Sequence, residues 1–181
     1  MFNVANMMKI CLTNLRKFNE GYSLKRWLQL PASNEEIEEV LKDININDEC
    51  REYFISDYEC DFPGIIIKEN STIDDLNDMA DQLYEMNEEE IKIVTTIMKN
   101  ENCSLDKARE EMDNRLVIPL KNNDSNIDVN LALSYIEKVY GDVINLDKET
   151  LGKYFDFKSF GEDLRMSFNL DEDKTIAVSD D

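Results

Sequence analysis

Apolar positions along this chain fall first into short β-rich runs and then into helical stripes. Met8–Thr13 (MKICLT), Leu24–Leu30 and Arg51–Glu59 (REYFISDYE) read as strands, the second ended by Pro31, with Pro63-Gly64 as a turn. Between the second and third strands, Ser33 and Glu36 have the spacing of a capping box, and Ile37, Val40, Leu41 and Ile44 make the core side of a helix over Asn34–Asp43. From Thr72 onward the period is helical: Thr72–Tyr84, Asn87–Lys99 and Ser104–Asn114 each begin with a residue that caps helices well. Leu116–Leu120 reads as a short strand, Ile127–Tyr140 as a helix closed by Gly141, Phe157–Arg165 as a short helix and Thr175–Val178 as a last strand. Met1–Met7 reads as a tail, Asn14–Tyr22 and Asn122–Asn126 as loops, and no internal repeat is present. The order predicts an α+β chain.

The Thr72–Tyr84 helix has two opposed faces. Ile73, Leu76, Met79, Ala80 and Leu83 form an apolar stripe, while Asp74, Asp78, Asp81 and Glu85 cluster within roughly 60° on the other side. Thr72 is its expected N-cap, with Asp75 at the capping-box distance. No Lys or Arg occurs between Lys68 and Lys92, so these anions have no local partner. Like charges four residues apart cost about 0.2–0.5 kcal/mol each, and Asp is a poor helix former. Two readings stand side by side: a solvated face on an acidic protein, or a surface whose role is to be negative. At about 1.5 Å of rise per residue the four carboxylates come one per ~5–6 Å, sparser than the phosphates of one DNA strand at about 3.4 Å. Neighbouring elements would have to add a second row. Glu88, Glu89 and Glu90 also have a local explanation, because anions are favoured in a helix's first turn.

Composition sharpens this. The 181 residues carry 40 acidic and 20 basic side chains, a net charge of −20. That charge repels nucleic acid and anionic membranes and attracts basic partners. Eight Phe, seven Tyr, one Trp and 42% hydrophobic residues argue against disorder. The charge is uneven. Residues 35–90 hold 20 acids against Lys42, Arg51 and Lys68, whereas in the first thirty residues Glu20 alone faces Lys9, Arg16, Lys17, Lys25 and Arg26. Such asymmetry marks an interaction surface.

Histidine is absent, which removes His-activated nucleophiles and His-ligated metals. Cys11, Cys50, Cys60 and Cys103 form no closely spaced metal-binding pair, and with no secretory signal or long apolar run the expectation is a cytoplasmic protein with free thiols. Cys50 and Cys60 could meet only across a hairpin. Asp124, Asn126, Asp128 and Asn130 sit at calcium-loop positions, but Val129 stands where Gly is needed and Tyr135 where Glu is needed. No glycine-rich phosphate loop, dinucleotide fingerprint or nucleophile elbow is present. Nothing specifies catalysis, a cofactor or a metal.

Three blocks resemble a known family. Leu12-Thr13-Asn14-Leu15 with Lys17-Phe18-Asn19-Glu20-Gly21, Trp27 and Leu30-Pro31 resembles the opening of the ArdA antirestriction proteins. Tyr53-Phe54-Ile55-Ser56-Asp57-Tyr58-Glu59 resembles their YFITDYE strand, and Leu151-Gly152, Tyr154-Phe155-Asp156, Phe160-Gly161 and Asp163-Leu164 resemble their C-terminal motif. The chain departs at Arg16 and Lys25, where the pattern carries Gly, and Arg26 adds a further cation. The resemblance implies an elongated acidic homodimer that imitates bent B-DNA, occupies the DNA-binding groove of type I restriction–modification enzymes and protects incoming mobile DNA, without binding nucleic acid or membrane itself. It implies three segments, which fit the element order above: an N-terminal small sheet with a helix (1–68), a central acidic helical bundle (69–114) and a C-terminal α/β dimerisation piece (115–181).

On that reading the DNA-mimic carboxylates are Asp57, Glu59, Asp61, Asp74, Asp75, Asp78, Asp81, Glu85, Glu88, Glu89, Glu90, Asp106, Glu110, Glu111 and Asp113. Tyr154, Phe155, Asp156, Phe160, Gly161, Asp163 and Leu164 form the antirestriction motif near the dimer contact, although a plain core role for the aromatics fits equally well. A dimer would carry about −40, the charge of roughly twenty base pairs. Two other classes remain open: an acidic adaptor or inhibitor of a different basic DNA-binding protein, and a metal-dependent hydrolase built on carboxylates.

Overall fold

The structure is a computed structural model that describes residues 8–47, 50–62, 64–121, 126–141 and 148–180. The expected tail Met1–Met7, most of the loop Asn122–Asn126 and Pro63 of the Pro63-Gly64 turn lie outside the described residues. The chain is α+β and falls into two compact units, Met1–Ile91 and Lys92–Asp181.

The first unit is built on a three-stranded antiparallel sheet in the order β2-β1-β3, from β1 (Met8–Asn14), β2 (Lys25–Leu30) and β3 (Tyr53–Cys60). β1 is almost wholly buried, as suits the central strand of the sheet. Its register against β3 slips between Cys11, opposite Asp57, and Leu12, opposite Ile55. Ser56 is the extra residue of this bulge, and its hydroxyl lies 2.7 Å from that of Thr13. Helices α2 (Asn34–Asp43) and α3 (Ile73–Glu85) both pack against β2. The Ser33–Glu36 capping box forms as the sequence predicts: the Glu36 amide donates to the Ser33 hydroxyl, and the Ser33 amide donates to the Glu36 carboxylate at 2.8 Å.

The expected loop Asn14–Tyr22 instead contains a short helix, α1 (Leu15–Asn19). Asn14 explains it. Its side-chain oxygen caps the helix by accepting from the Lys17 amide at 2.9 Å, while its buried amide group donates to the Ile44 carbonyl at 2.8 Å. Gly21, at φ +88, lets the chain turn out of the helix.

In the second unit lie most of α4 (Glu88–Glu101), then α5 (Leu105–Met112), β4 (Val117–Pro119), α6 (Ile127–Tyr140), α7 (Lys148–Tyr154), α8 (Phe157–Leu164), β5 (Phe168–Leu170) and β6 (Ile176–Ser179). The strands form a second antiparallel sheet in the order β4-β6-β5. Its core is Ile118, Leu120, Leu131, Phe168 and Ala177, with Ile127, Tyr135, Leu164 and Leu170 packed around it. The helix α7 and the strand β5 have no counterpart in the sequence reading. Buried Asp171 closes the β5–β6 turn by accepting from the amides of Thr175 and Ile176.

Asn126, Asp128 and Asn130, considered for a calcium loop, serve the fold. Asn126 caps α6, Asp128 lies 3.7 Å from Arg165, and buried Asn130 donates to the Lys121 carbonyl. All four cysteines are free. Burial raises the Cys60 thiol to about 11, partly offset by its contact with the Phe62 carbonyl. Among the described residues no helix is long and apolar enough to cross a membrane.

Candidate partner-binding surface

The strongest candidate surface lies on α3. Thr72 caps the helix, its hydroxyl accepting from the Asp75 amide at 3.1 Å, and Asp74 and Asp75 occupy the favourable first turn. Ile73, Leu76, Ala80 and Leu83 are buried, and this stripe fixes which face points outward. Asp74, Asp75, Asp78, Asp81 and Glu85 are all exposed, and none of them pairs with a cation among the described residues. Asp78, Asp81 and Glu85 lie beyond the first turn, where the helix gives them no support. Asp74 also acts on the first sheet: the Tyr53 phenol is pushed up chiefly by burial and further by the Asp74 charge.

Elsewhere half of the candidate carboxylates meet partners inside the fold. Glu59 lies opposite Lys9 across the sheet and pairs with it at 2.6 Å. Glu90 completes a reciprocal cap on α4: Asn87 accepts from the amides of Glu89 and Glu90, and Glu90 accepts from the Asn87 amide at 2.8 Å. Glu111 lies 3.6 Å from the Arg115 guanidinium, which is only 2% exposed and also pairs with Glu101. Glu88 and Asp106 each engage a neighbour. Asp57 and Asp61 at β3, Glu89 on α4, and Glu110 and Asp113 at α5 are exposed.

The basic cluster that interrupts the acidic pattern is spent largely within the first unit. Arg16 and Lys17 both pair with Glu20, at 3.3 and 2.6 Å, and Arg26 pairs with Asp43 at 3.3 Å. The Lys17 ammonium in particular holds the Glu20 carboxyl below its usual range. Lys25 and Arg26 lie on the edge strand β2, where charged side chains discourage further strand pairing.

The C-terminal motif divides into folding residues and exposed ones. Asp156 caps α8 by accepting from the Ser159 amide at 3.0 Å, a bond that lowers its pKa. Phe160 stacks edge-on against Tyr135 and Phe155, and Leu164 joins the core. Gly161 is buried where α8 meets α6, and a Cβ there would sit 1.9 Å from the Asp128 carbonyl oxygen. Tyr154, by contrast, is 87% exposed. Phe155 is partly exposed and lines an apolar recess of about 320 Å³ with Ile136, Tyr140 and Phe160.

Two features escaped the sequence reading. Arg115 is a buried cation whose partners come from two helices. Asn77, on the flank of the acidic face, bonds to the backbone of Ala32, 45 residues earlier. Only the Glu111–Arg115 spacing offered a local clue.

Among the described residues no group of three or more His, Cys, Asp or Glu side chains is placed to hold a metal. A search of curated proteins finds no match. The model of the antirestriction protein family ArdA matches residues 10–175, nearly the whole chain and all three of the blocks that carry the resemblance. The chain therefore belongs to the ArdA family: it is an antirestriction protein, a DNA mimic and not an enzyme.

Proposed function

We propose that this chain inhibits type I restriction–modification enzymes in the cytoplasm by setting the α3 carboxylates where the enzyme's groove expects DNA phosphates. The observation that carries this reading is the contrast in pairing: α3 keeps five exposed carboxylates with no cation partner among the described residues, in a chain that pairs Glu59, Glu101 and Glu111. Fixed charges of this kind bind fast, with strong salt dependence and no regard for the enzyme's recognition sequence. Asp57, Asp61, Glu89, Glu110 and Asp113 extend the same surface chemistry to other elements.

The test is a competition titration of a purified type I methyltransferase between this protein and duplex DNA, using the wild type and the variant Asp78→Asn/Asp81→Asn/Glu85→Gln. The variant is expected to compete more weakly, and the slope of log affinity against log salt to fall by about 2–3, one unit or slightly less per lost charge. Equal competition and an equal slope would remove α3 from the interface. Displacement of DNA from an unrelated basic protein, but not from the methyltransferase, would favour the adaptor reading.

The proposed homodimer uses the C-terminal motif. Tyr154, Phe155 and Tyr140 expose apolar area there, and Tyr154, 87% exposed, is the most exposed aromatic of the motif. Tyr154→Ala is expected to leave the thermal midpoint unchanged while moving sedimentation from dimer towards monomer. An unaltered dimer would place the contact elsewhere.

A further inference from the structure

Apolar stripes orient a helix loosely, because burial is non-directional and the stripe can slide or roll on its neighbours. A bidentate bond between a side-chain amide and a peptide unit allows much less. Asn77 makes such a bond: the Ala32 amide donates to its Oδ1 at 2.7 Å, and its Nδ2 donates to the Ala32 carbonyl at 3.1 Å. On α3, Asn77 lies beside the acidic face, roughly 60° round the helix from Asp74 at 100° per residue. At the other end of the bond, Ala32 is buried and directly precedes Ser33, the cap of α2. The helix α2 carries exposed Glu35, Glu38 and Glu39. One amide therefore joins the flank of one acid-bearing helix to the starting point of another.

We infer that Asn77 is a positioning residue, which sets the spacing and rotation of the α3 carboxylates against those of α2 so that the two rows meet a partner's cations together. This rests on the reading of α3 as partner-binding surface. A single helix is too sparse to imitate DNA, so the register between two rows matters more than either row alone.

The experiment repeats the competition titration across a salt series with Asn77→Ala, at a temperature where circular dichroism shows the variant folded. The expected result is binding weakened about tenfold, with the salt slope lowered by about 1–2 as fewer ion contacts form at once. A residue that only stabilised the fold would reduce the active fraction and leave the slope of the folded protein unchanged. If Asn77→Ala does not fold, Asn77→Gln replaces it. Its amide can still bond to Ala32 but moves the helix by about one methylene, and a lowered slope is expected there too. The α3 charge variant runs alongside. If it binds like wild type, the partner-binding reading of α3 fails; if it weakens while the Asn77 variant keeps the wild-type affinity and slope, the positioning role alone is overturned.

Discussion

On α3, Asp78, Asp81 and Glu85 face solvent and pair with no cation among the described residues, while at the end of α4 and along α5 Glu101 and Glu111 turn to Arg115. The two regions have similar acidic composition and opposite electrostatics. Around Arg115 the charges cancel within the protein, and the guanidinium reaches a backbone carbonyl as well, that of Ser179 on β6 at 3.3 Å. On α3 the repulsion is retained, and the folded state is the less stable for it. A surface that costs stability and contributes nothing to packing is what the proposed partner-binding role of α3 requires. Acid content alone does not separate the two regions; the cations Lys107, Arg109 and Arg115 within residues 101–115 do.

The largest effect that can break this comparison is at Arg115. Replacing it with Ala takes from Glu111 its Arg115 partner, leaves Glu101 with Lys107 alone at 3.7 Å, and frees the Ser179 carbonyl. Removing one partner of a buried pair costs about 3–5 kcal/mol, and the lower end applies because both glutamates keep some access to water. Denaturant unfolding should show this loss, whereas competition for the methyltransferase by the folded fraction should change little. A loss below about 1 kcal/mol, the range of a surface ion pair, would make the Arg115 region no different from an exposed one.

The opposite sign is expected on α3. Asp78→Asn/Asp81→Asn/Glu85→Gln removes the like-charge neighbours Asp74–Asp78, Asp75–Asp78, Asp78–Asp81 and Asp81–Glu85, each worth about 0.2–0.5 kcal/mol of repulsion. A gain in stability of about 1 kcal/mol should accompany the loss of inhibition. Added salt should stabilise the wild type more than this variant, since screening relieves the same repulsion. A variant that is less stable than wild type, with the same salt response, would mean that the carboxylates hold the helix in place and are structural after all.

This asymmetry was only half legible in the sequence. The face of α3 was readable because the signal is local: a stripe of period 3.6, a cap at Thr72, and no Lys or Arg between Lys68 and Lys92. The Ser33–Glu36 box was readable for the same reason. What escaped depended on distant partners. β5 is three residues long and is a strand because β6 lies beside it. Asn77 is one amide among acids until Ala32 is placed next to it. Asn14-Leu15-Arg16-Lys17-Phe18-Asn19 looks like a loop by composition, yet Asn14 both caps α1 and is held by the Ile44 carbonyl. In the C-terminal motif, the residue types gave no means of telling Gly161, which lets two helices touch, from Tyr154, which touches little within the chain.

The smallest effect concerns an acid that the fold uses without burying it. Glu36 accepts from the Ser33 backbone amide and from the Ser33 hydroxyl, and these bonds, the backbone one foremost, lower its pKa below the usual glutamate value of 4.5. A carboxyl with a depressed folded pKa favours the native state when ionised. That contribution is complete above about pH 4.5 and disappears as the pH falls through the lowered folded value. Glu36→Gln keeps an oxygen for the capping box but carries no titrating proton. Its stability at pH 7 should be slightly below wild type, and the difference should shrink towards zero under acid conditions, because the wild type then loses what the variant never had. Chemical denaturation at pH 7 and pH 3 reads this directly. A gap that stays constant between the two would show that the Glu36 charge plays no part in the cap, and that this glutamate belongs with the carboxylates whose charge the fold does not use.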